Sequence, residues 1–221
     1  MILHIPHSGT NTLDRNIEQF DIDYLTDWYT DKIFWHENSE RLVLDVSRFV
    51  CDVERFPDEQ EEMFKICQGI CYTKGTRDNV IEVIDKEYII KEIYDKWHSE
   101  LNKKVAWLLT YIPKVVLVDC HSFPDKEGYP DFCIGITEQT PKELVELVQV
   151  FLDKNNYSNA INYPYSGCMT PSKYQNHADV FPILIEVNKK LYLNTNEDFE
   201  KIKFTINKLL DEISKYELSF H

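Results

Sequence analysis

No stretch of the sequence approaches the roughly 20 consecutive apolar residues that a membrane-spanning helix needs. The N-terminal segment MILHIPHSGT also lacks the basic residues and long apolar run of a secretory signal. A soluble, cytoplasmic protein is therefore expected. Positive charge is scarce: 24 Lys and Arg stand against 38 Asp and Glu, for a net charge of −14. The densest basic clusters are pairs, Lys103-Lys104 and Lys189-Lys190. Phosphate backbones and anionic lipid surfaces would be repelled, so neither nucleic acid nor a membrane is expected as a partner. A second close cysteine pair is missing too. Among the six cysteines (Cys51, Cys67, Cys71, Cys120, Cys133, Cys168) only Cys67-x-x-x-Cys71 is tightly spaced, which is short of the four ligands of a structural zinc site. Their spread suits buried reduced thiols better than a disulfide framework. There is no internal repeat and no low-complexity tract.

What the chain does have is 221 residues of which 43% are hydrophobic, enough to bury one sizeable core. Residues 1–221 are expected to form a single α/β domain, a mixed and mostly parallel sheet flanked by helices, because short apolar runs alternate with stretches of helical period. Strands are expected at Met1 to Ile5, Leu42 to Val46 with Phe49 to Val53, Lys114 to Cys120, Phe132 to Thr137 and Phe181 to Val187. Helical spacing joins Ile22, Leu25, Tyr29 and Ile33; Ile89 through Leu108, ending before Pro113; Leu144 through Leu152; and Phe199 through Ile213. Residues 54–79 and 156–178 read as long ordered loops, which in a compact domain are often functional.

Residues able to do chemistry gather at the predicted strand ends, where open α/β sheets place their sites. His121 follows KVVLVDC by one residue, and His7 follows MILHI in a Pro-His-Ser-Gly turn, whereas His4 lies inside its strand and is expected to pack. Two imidazoles make an incomplete catalytic zinc site, which usually adds a third protein ligand, often a carboxylate. Asp27 and Asp31 are the candidates, four apart and thus on one face if helical. Glu186 sits in the apolar strand PILIEVN, where a carboxylate costs several kcal/mol unless paired or used; it is either a general base or a partner of Arg48, Arg55 or Lys189. Arg48 and Arg55 have the shape to grip a substrate carboxylate, or bond Asp45, Asp52 or loop carbonyls. Tyr163 and Tyr165 either line an acyl pocket or pack their loop.

Taken together, HIPHSG at 4–9, TDWYTD at 26–31, SRFVCDVER at 47–55, GICYTKG at 69–75, DCHS at 119–122, PDFCIG at 130–135, NYPYSG at 162–167 and IEVNKKLY at 185–192 resemble the N-formylglutamate amidohydrolase family. That family is itself similar to zinc carboxypeptidases and aspartoacylase. The resemblance implies a zinc-carboxypeptidase-like fold and metal-dependent hydrolysis of a small anionic N-acyl amino acid, N-formyl-L-glutamate first. It implies Zn2+ on His7, His121 and a TDW-type aspartate, Asp27 preferred to Asp31, with Glu186 as base and Arg55, then Arg48, on the substrate carboxylate. Glu54 departs from the Asn-Arg pattern expected before Arg55. Other readings are a zinc amidase acting on peptides, peptidoglycan or longer acyl chains, and a metal-free binding protein on the same fold.

Overall fold

A computed structural model describes residues 1–57 and 61–220. The chain divides into two compact units. One, the sheet unit, comprises Met1–Ile5, Tyr29–Leu42 and the chain from Asn102 onward; the other, the loop-rich unit, comprises Pro6–Trp28 and Val43–Leu101.

Among the described residues six strands, β1 (Ile2–Ile5), β2 (Glu40–Val43), β3 (Val115–Phe123), β4 (Phe132–Gly135), β5 (Asn159–Ile161) and β6 (Val180–Asn188), are ordered β2-β1-β3-β6-β4-β5 in one sheet. β1, β3 and β6 run parallel, β4 runs antiparallel to β6, and β5 is parallel to β4. The result is the α/β class expected, with a mostly parallel sheet flanked by helices. Strand pairing sorts the side chains by face, since neighbours in register point the same way and successive residues point oppositely. Leu3, Val116, Val118, Ile183, Ile185, Val187, Phe132 and Ile134 share one face and form a single core with α2 (Thr30–Ile33), α5 (Lys142–Lys154) and α6 (Asn196–Leu218), through Ile33, Leu144, Val148, Ile206 and Leu210. The alternate positions, His4, Asp119, His121, Phe123 and Glu186, therefore fall together on the opposite face. A one-residue slip would move the whole apolar set off the core, so the register that gathers these polar groups is strongly fixed.

Four sequence expectations change. Phe49, Val50, Cys51 and Val53 are fully buried but form turns rather than a strand, with Val50 and Cys51 both donating to the Ser47 carbonyl; an apolar run reports burial, and here burial needs no ladder. The neighbouring strand lies two residues earlier than expected, at Glu40–Val43. His121 is within β3, not beyond it, because pairing with β6 continues to Phe123 opposite Asn188. The helix expected across Ile22 to Ile33 is two pieces, α1 (Gln19–Leu25) and α2, separated by an extended Thr26 and a left-handed Tyr29. Asp27 lies in that break, so Asp27 and Asp31 do not share a helix face. The next helical stretch runs as α3 (Lys86–Ile89), a π turn (Ile90–Tyr94) and α4 (Asp95–Leu108).

The loop-rich unit has a small apolar centre of Ile22, Phe49, Tyr72 and Ile81 and depends heavily on polar fastening. Asp21, only 1% exposed, accepts from Thr76 N (2.7 Å), Thr76 Oγ1 (2.6 Å) and Asn79 Nδ2 (2.9 Å). Burial works against its ionisation, but those bonds and Arg77 prevail and lower its pKa. Asp21→Ala strands three donors and is expected to cost about 2–3 kcal/mol, read as a lower urea midpoint with an unchanged slope.

Candidate active site

On the polar face of the sheet unit, β1 and β3 set His4 beside Asp119, and β3 and β6 set His121 beside Glu186. All four are at most 7% exposed. One oxygen of Asp119, Oδ1, receives both His4 Nδ1 (2.8 Å) and His121 Nε2 (3.0 Å). The other, Oδ2, accepts the Met169 amide at 2.8 Å. Burial opposes the charge on Asp119, yet the His121 and His4 rings hold its carboxyl well below the usual range. An ionised carboxylate only accepts, so the His121 proton sits on Nε2; in the neutral ring, Nδ1 then keeps the lone pair for a ligand.

The loop after β5 is fastened beside this cluster. Its Met169 end is held by Asp119, and the Cys133 thiol, kept protonated because burial pushes it up to about 11, donates to the Tyr165 carbonyl at 3.2 Å. Cys133 is the β4 residue opposite Glu186. A Cβ on Gly135 would fall 2.1 Å from the Gly167 carbonyl, so the close approach of loop to strand requires glycine there. The loop presents Tyr165 against Phe123 (ring centroids 6.0 Å apart), and Tyr129 bridges Phe123 (5.9 Å) and Tyr163 (5.8 Å). Tyr163 and Tyr165 remain 50% and 40% exposed, an aromatic wall at the carboxyl end of β3 that is open to solvent.

In the loop-rich unit the centre is Asp52, fully buried. Its Oδ1 accepts from His7 Nε2 (2.9 Å) and the Glu54 amide (3.1 Å), and its Oδ2 from Arg48 (2.9 Å) and the Tyr72 hydroxyl (2.9 Å). Burial disfavours this carboxylate, but His7, Arg48 and Arg55 outweigh it and set its pKa well below the usual range. Burial and then Arg48 lower the His7 pKa, so the ring is neutral at pH 7. With its proton on Nε2 toward Asp52, the Nδ1 lone pair faces two carboxylates, Glu54 Oε2 at 3.6 Å and Asp27 Oδ2 at 3.8 Å. Asp27 is set there by its own backbone, whose amide donates to the His7 carbonyl at 2.9 Å. Tyr72, raised to about 12 by burial, stays a phenol and a donor.

These positions sort the sequence candidates. Asp27 stands by His7, while Asp31 lines a surface groove with Lys32, Trp35 and Phe199 of the sheet unit. Arg48 is bonded to Asp52 and, through Nε at 3.2 Å, to the Tyr72 oxygen. Arg55 is less engaged: its Nε is 3.7 Å from Asp52 and has no hydrogen-bond acceptor among the described residues. His4 does more than pack, since it shares Asp119 with His121. Sequence reasoning missed the orienting roles of Asp52, Asp119 and Tyr72. Asp119 had a signal, being two residues before His121 on a strand and hence on its face; Asp52 lies 45 residues from His7 and had none.

Each unit thus holds an imidazole whose Nε2 is fixed by a buried, ionised aspartate. The sheet unit adds a buried carboxylate, and the loop-rich unit a guanidinium whose Nε has no hydrogen-bond acceptor among the described residues. Perturbed ionisable groups are candidates for functional residues, and each unit carries its own set. The model of a protein family described as N-formylglutamate amidohydrolase matches residues 1–193. Among solved structures, the chain is similar to an N-formylglutamate amidohydrolase from Ralstonia eutropha JMP134 (TM-score 0.85, 18% identity, 99% of this chain and 94% of that one). It is also similar to a gene product of Agrobacterium tumefaciens (TM-score 0.72, 15% identity, 98% and 90%). No curated protein sequence matches the chain. The chain belongs to the N-formylglutamate amidohydrolase family, and its class is that of a hydrolase acting on amide bonds. No helix among the described residues is long and apolar enough to cross a membrane.

Proposed function

We propose that this protein is a metal-dependent amidohydrolase that cleaves small N-acyl amino acids, with N-formyl-L-glutamate, yielding formate and glutamate, as the first substrate to assay. The observation that carries the reading is the pairing of His7 with Asp52 and of His121 with Asp119 through Nε2 (2.9 and 3.0 Å). Outer carboxylates of this kind fix the tautomer and orientation of metal-binding histidines and raise their basicity. The donor types fit zinc: His7 and His121 would each offer Nδ1, and Asp27, preferred to Asp31, would be the carboxylate. Iron, cobalt and manganese suit the same set. Zinc, when bound, supplies Lewis-acid polarisation of the scissile carbonyl and acidifies a water.

The remaining chemistry falls to the chain. Glu186, buried beside His121, takes the proton of the attacking water and delivers it to the leaving nitrogen. Arg55 holds the substrate carboxylate, and Arg48 keeps Asp52 and so His7 in place. Tyr163 and Tyr165 would flank an acyl group or side chain, and their exposure favours one second reading, a zinc-carboxypeptidase-like enzyme acting on peptides or longer acyl chains.

Stripping the metal with a chelator should reduce formate release from N-formylglutamate more than a hundredfold, and stoichiometric zinc should restore it. Full activity in protein carrying under a tenth of a metal ion per chain would sink the proposal; no hydrolysis and no metal uptake would leave a binding protein instead. A panel of N-acyl amino acids separates the two enzyme readings, since faster cleavage of long acyl groups than of formyl contradicts the first.

A further inference from the structure

We infer that Asn162 is a positioning residue for substrate selectivity: it locks the 162–169 loop so that Tyr163 and Tyr165, with Tyr129 and Phe123, form a preformed wall for an aromatic N-acyl group. The inference rests on the amidohydrolase reading above, not on the identity of the metal, and every residue in it belongs to the sheet unit. Asn162 has a left-handed backbone (φ 52°), which asparagine adopts more readily than most residues. Its amide donates to the Ile134 carbonyl at 2.9 Å. Its side-chain oxygen accepts the Ile136 amide at 2.9 Å and the Gly167 amide at 3.3 Å, and its Nδ2 donates to the Ile136 carbonyl at 3.4 Å. One side chain thereby ties both ends of the 162–167 turn to the exit of β4. Further along, the Cys133 thiol holds the Tyr165 carbonyl and Asp119 holds the Met169 amide. A loop anchored along its length presents its rings with little left to order on binding. The sheet then places the wall. Phe123, 1% exposed, follows His121 by two residues on the polar face, and the Tyr165 and Tyr129 rings pack against it. Cys133, which fixes Tyr165, is the residue opposite Glu186. The rings therefore adjoin the side chains assigned to chemistry. They suit a planar apolar group, which pairs with them offset or edge-on, whereas the carboxylate-bearing half of the substrate calls for cationic donors. The acyl half is the one that meets the wall.

The test compares kcat and KM for N-benzoyl-L-glutamate and N-formyl-L-glutamate on the full, metal-replete chain, in wild type, Asn162→Gly, Asn162→Asp and Tyr165→Ala. Wild type should hydrolyse both substrates. Asn162→Gly keeps the left-handed backbone at no steric cost and removes the side-chain bonds. It should lower the benzoyl-to-formyl ratio of kcat/KM by about tenfold, the scale of one lost ring contact, and should do so through KM, as loss of a binding contact requires. Asn162→Asp, whose carboxylate still accepts both amides, should retain the wild-type ratio. Tyr165→Ala should lower the ratio to a similar extent without touching the Asn162 bonds, and it carries the test if the glycine variant does not fold. An unchanged ratio in Asn162→Gly or Tyr165→Ala, equal losses on both substrates, a fall through kcat alone, or no retention in Asn162→Asp overturns the inference. So does a wild-type chain that cleaves the formyl substrate and not the benzoyl one, which leaves the amidohydrolase reading intact. Hydrolysis of neither substrate by metal-replete wild type overturns both.

Discussion

Glu186→Gln is expected to lower kcat/KM by about 10²–10⁴-fold, the usual worth of a positioned general acid-base, with metal content unchanged. Expressed as transition-state stabilisation, that is roughly 3–5.5 kcal/mol. β6 is buried at every position but Phe181, and Glu186 is the β6 residue in register with His121 on the polar face, so its carboxylate is held by the sheet and not by a mobile loop. Glutamine keeps its volume and can still accept and donate hydrogen bonds, but it cannot take a proton at neutral pH. A purely structural Glu186 makes a different prediction: a lower unfolding midpoint with kinetics intact. Steady-state rates of amine release, read alongside metal analysis and urea midpoints, separate the two. Near wild-type turnover in a metal-replete variant removes Glu186 from the mechanism.

The second large effect is one of stability. Asp52→Ala is expected to cost about 3–5 kcal/mol, because removing one partner of a buried charge pair strands the other. Here Arg48, His7 Nε2 and the Tyr72 hydroxyl would all lose their acceptor within the loop-rich unit. Asp52→Asn preserves the shape and is expected to be milder in folding, yet to lower metal affinity by about 10–100-fold, since His7 loses the carboxylate that sets its tautomer. The pH dependence follows in sign. The Asp52 carboxyl is held well below its unfolded value by His7, Arg48 and Arg55, which overcome burial. Its stabilising contribution is therefore full above pH about 4, near the unfolded aspartate pKa, and is lost as pH falls through the folded value. Urea midpoints of metal-free wild type and Asp52→Ala at pH 7 and at pH 3 should differ widely at the first and converge toward the second. An unchanged gap would show that Asp52 acts by packing alone.

Residues able to do chemistry were legible in the sequence where chemistry and periodicity coincide. His121, Glu186 and His7 were visible because each interrupts or follows a β-branched apolar run, and period-two alternation then sends His121 and Glu186 to the face that Val118 and Ile185 avoid. The shared helix face expected of Asp27 and Asp31 failed on periodicity. Ile22, Leu25, Tyr29 and Ile33 keep helical spacing across a real break, since their apolar side chains are equally suited to two short helices with an extended Thr26 between them. Phe49 to Val53 misled for the opposite reason: the residues are buried, but their backbone is satisfied by turns at Ser47.

By itself the sequence determined the α/β class, the order of the main apolar strands along the chain, the net acidic charge, and the short list of residues able to do chemistry. Those properties are local, set by side-chain hydropathy, charge and the two- and 3.6-residue periods. Only the tertiary structure decided which carboxylates serve the imidazoles. Asp52 reaches His7 across 45 residues and Asp119 reaches His4 across 115. Strand register and turn geometry, not sequence spacing, bring their oxygens within 3 Å, and burial then makes those few contacts strong enough to set charge and tautomer.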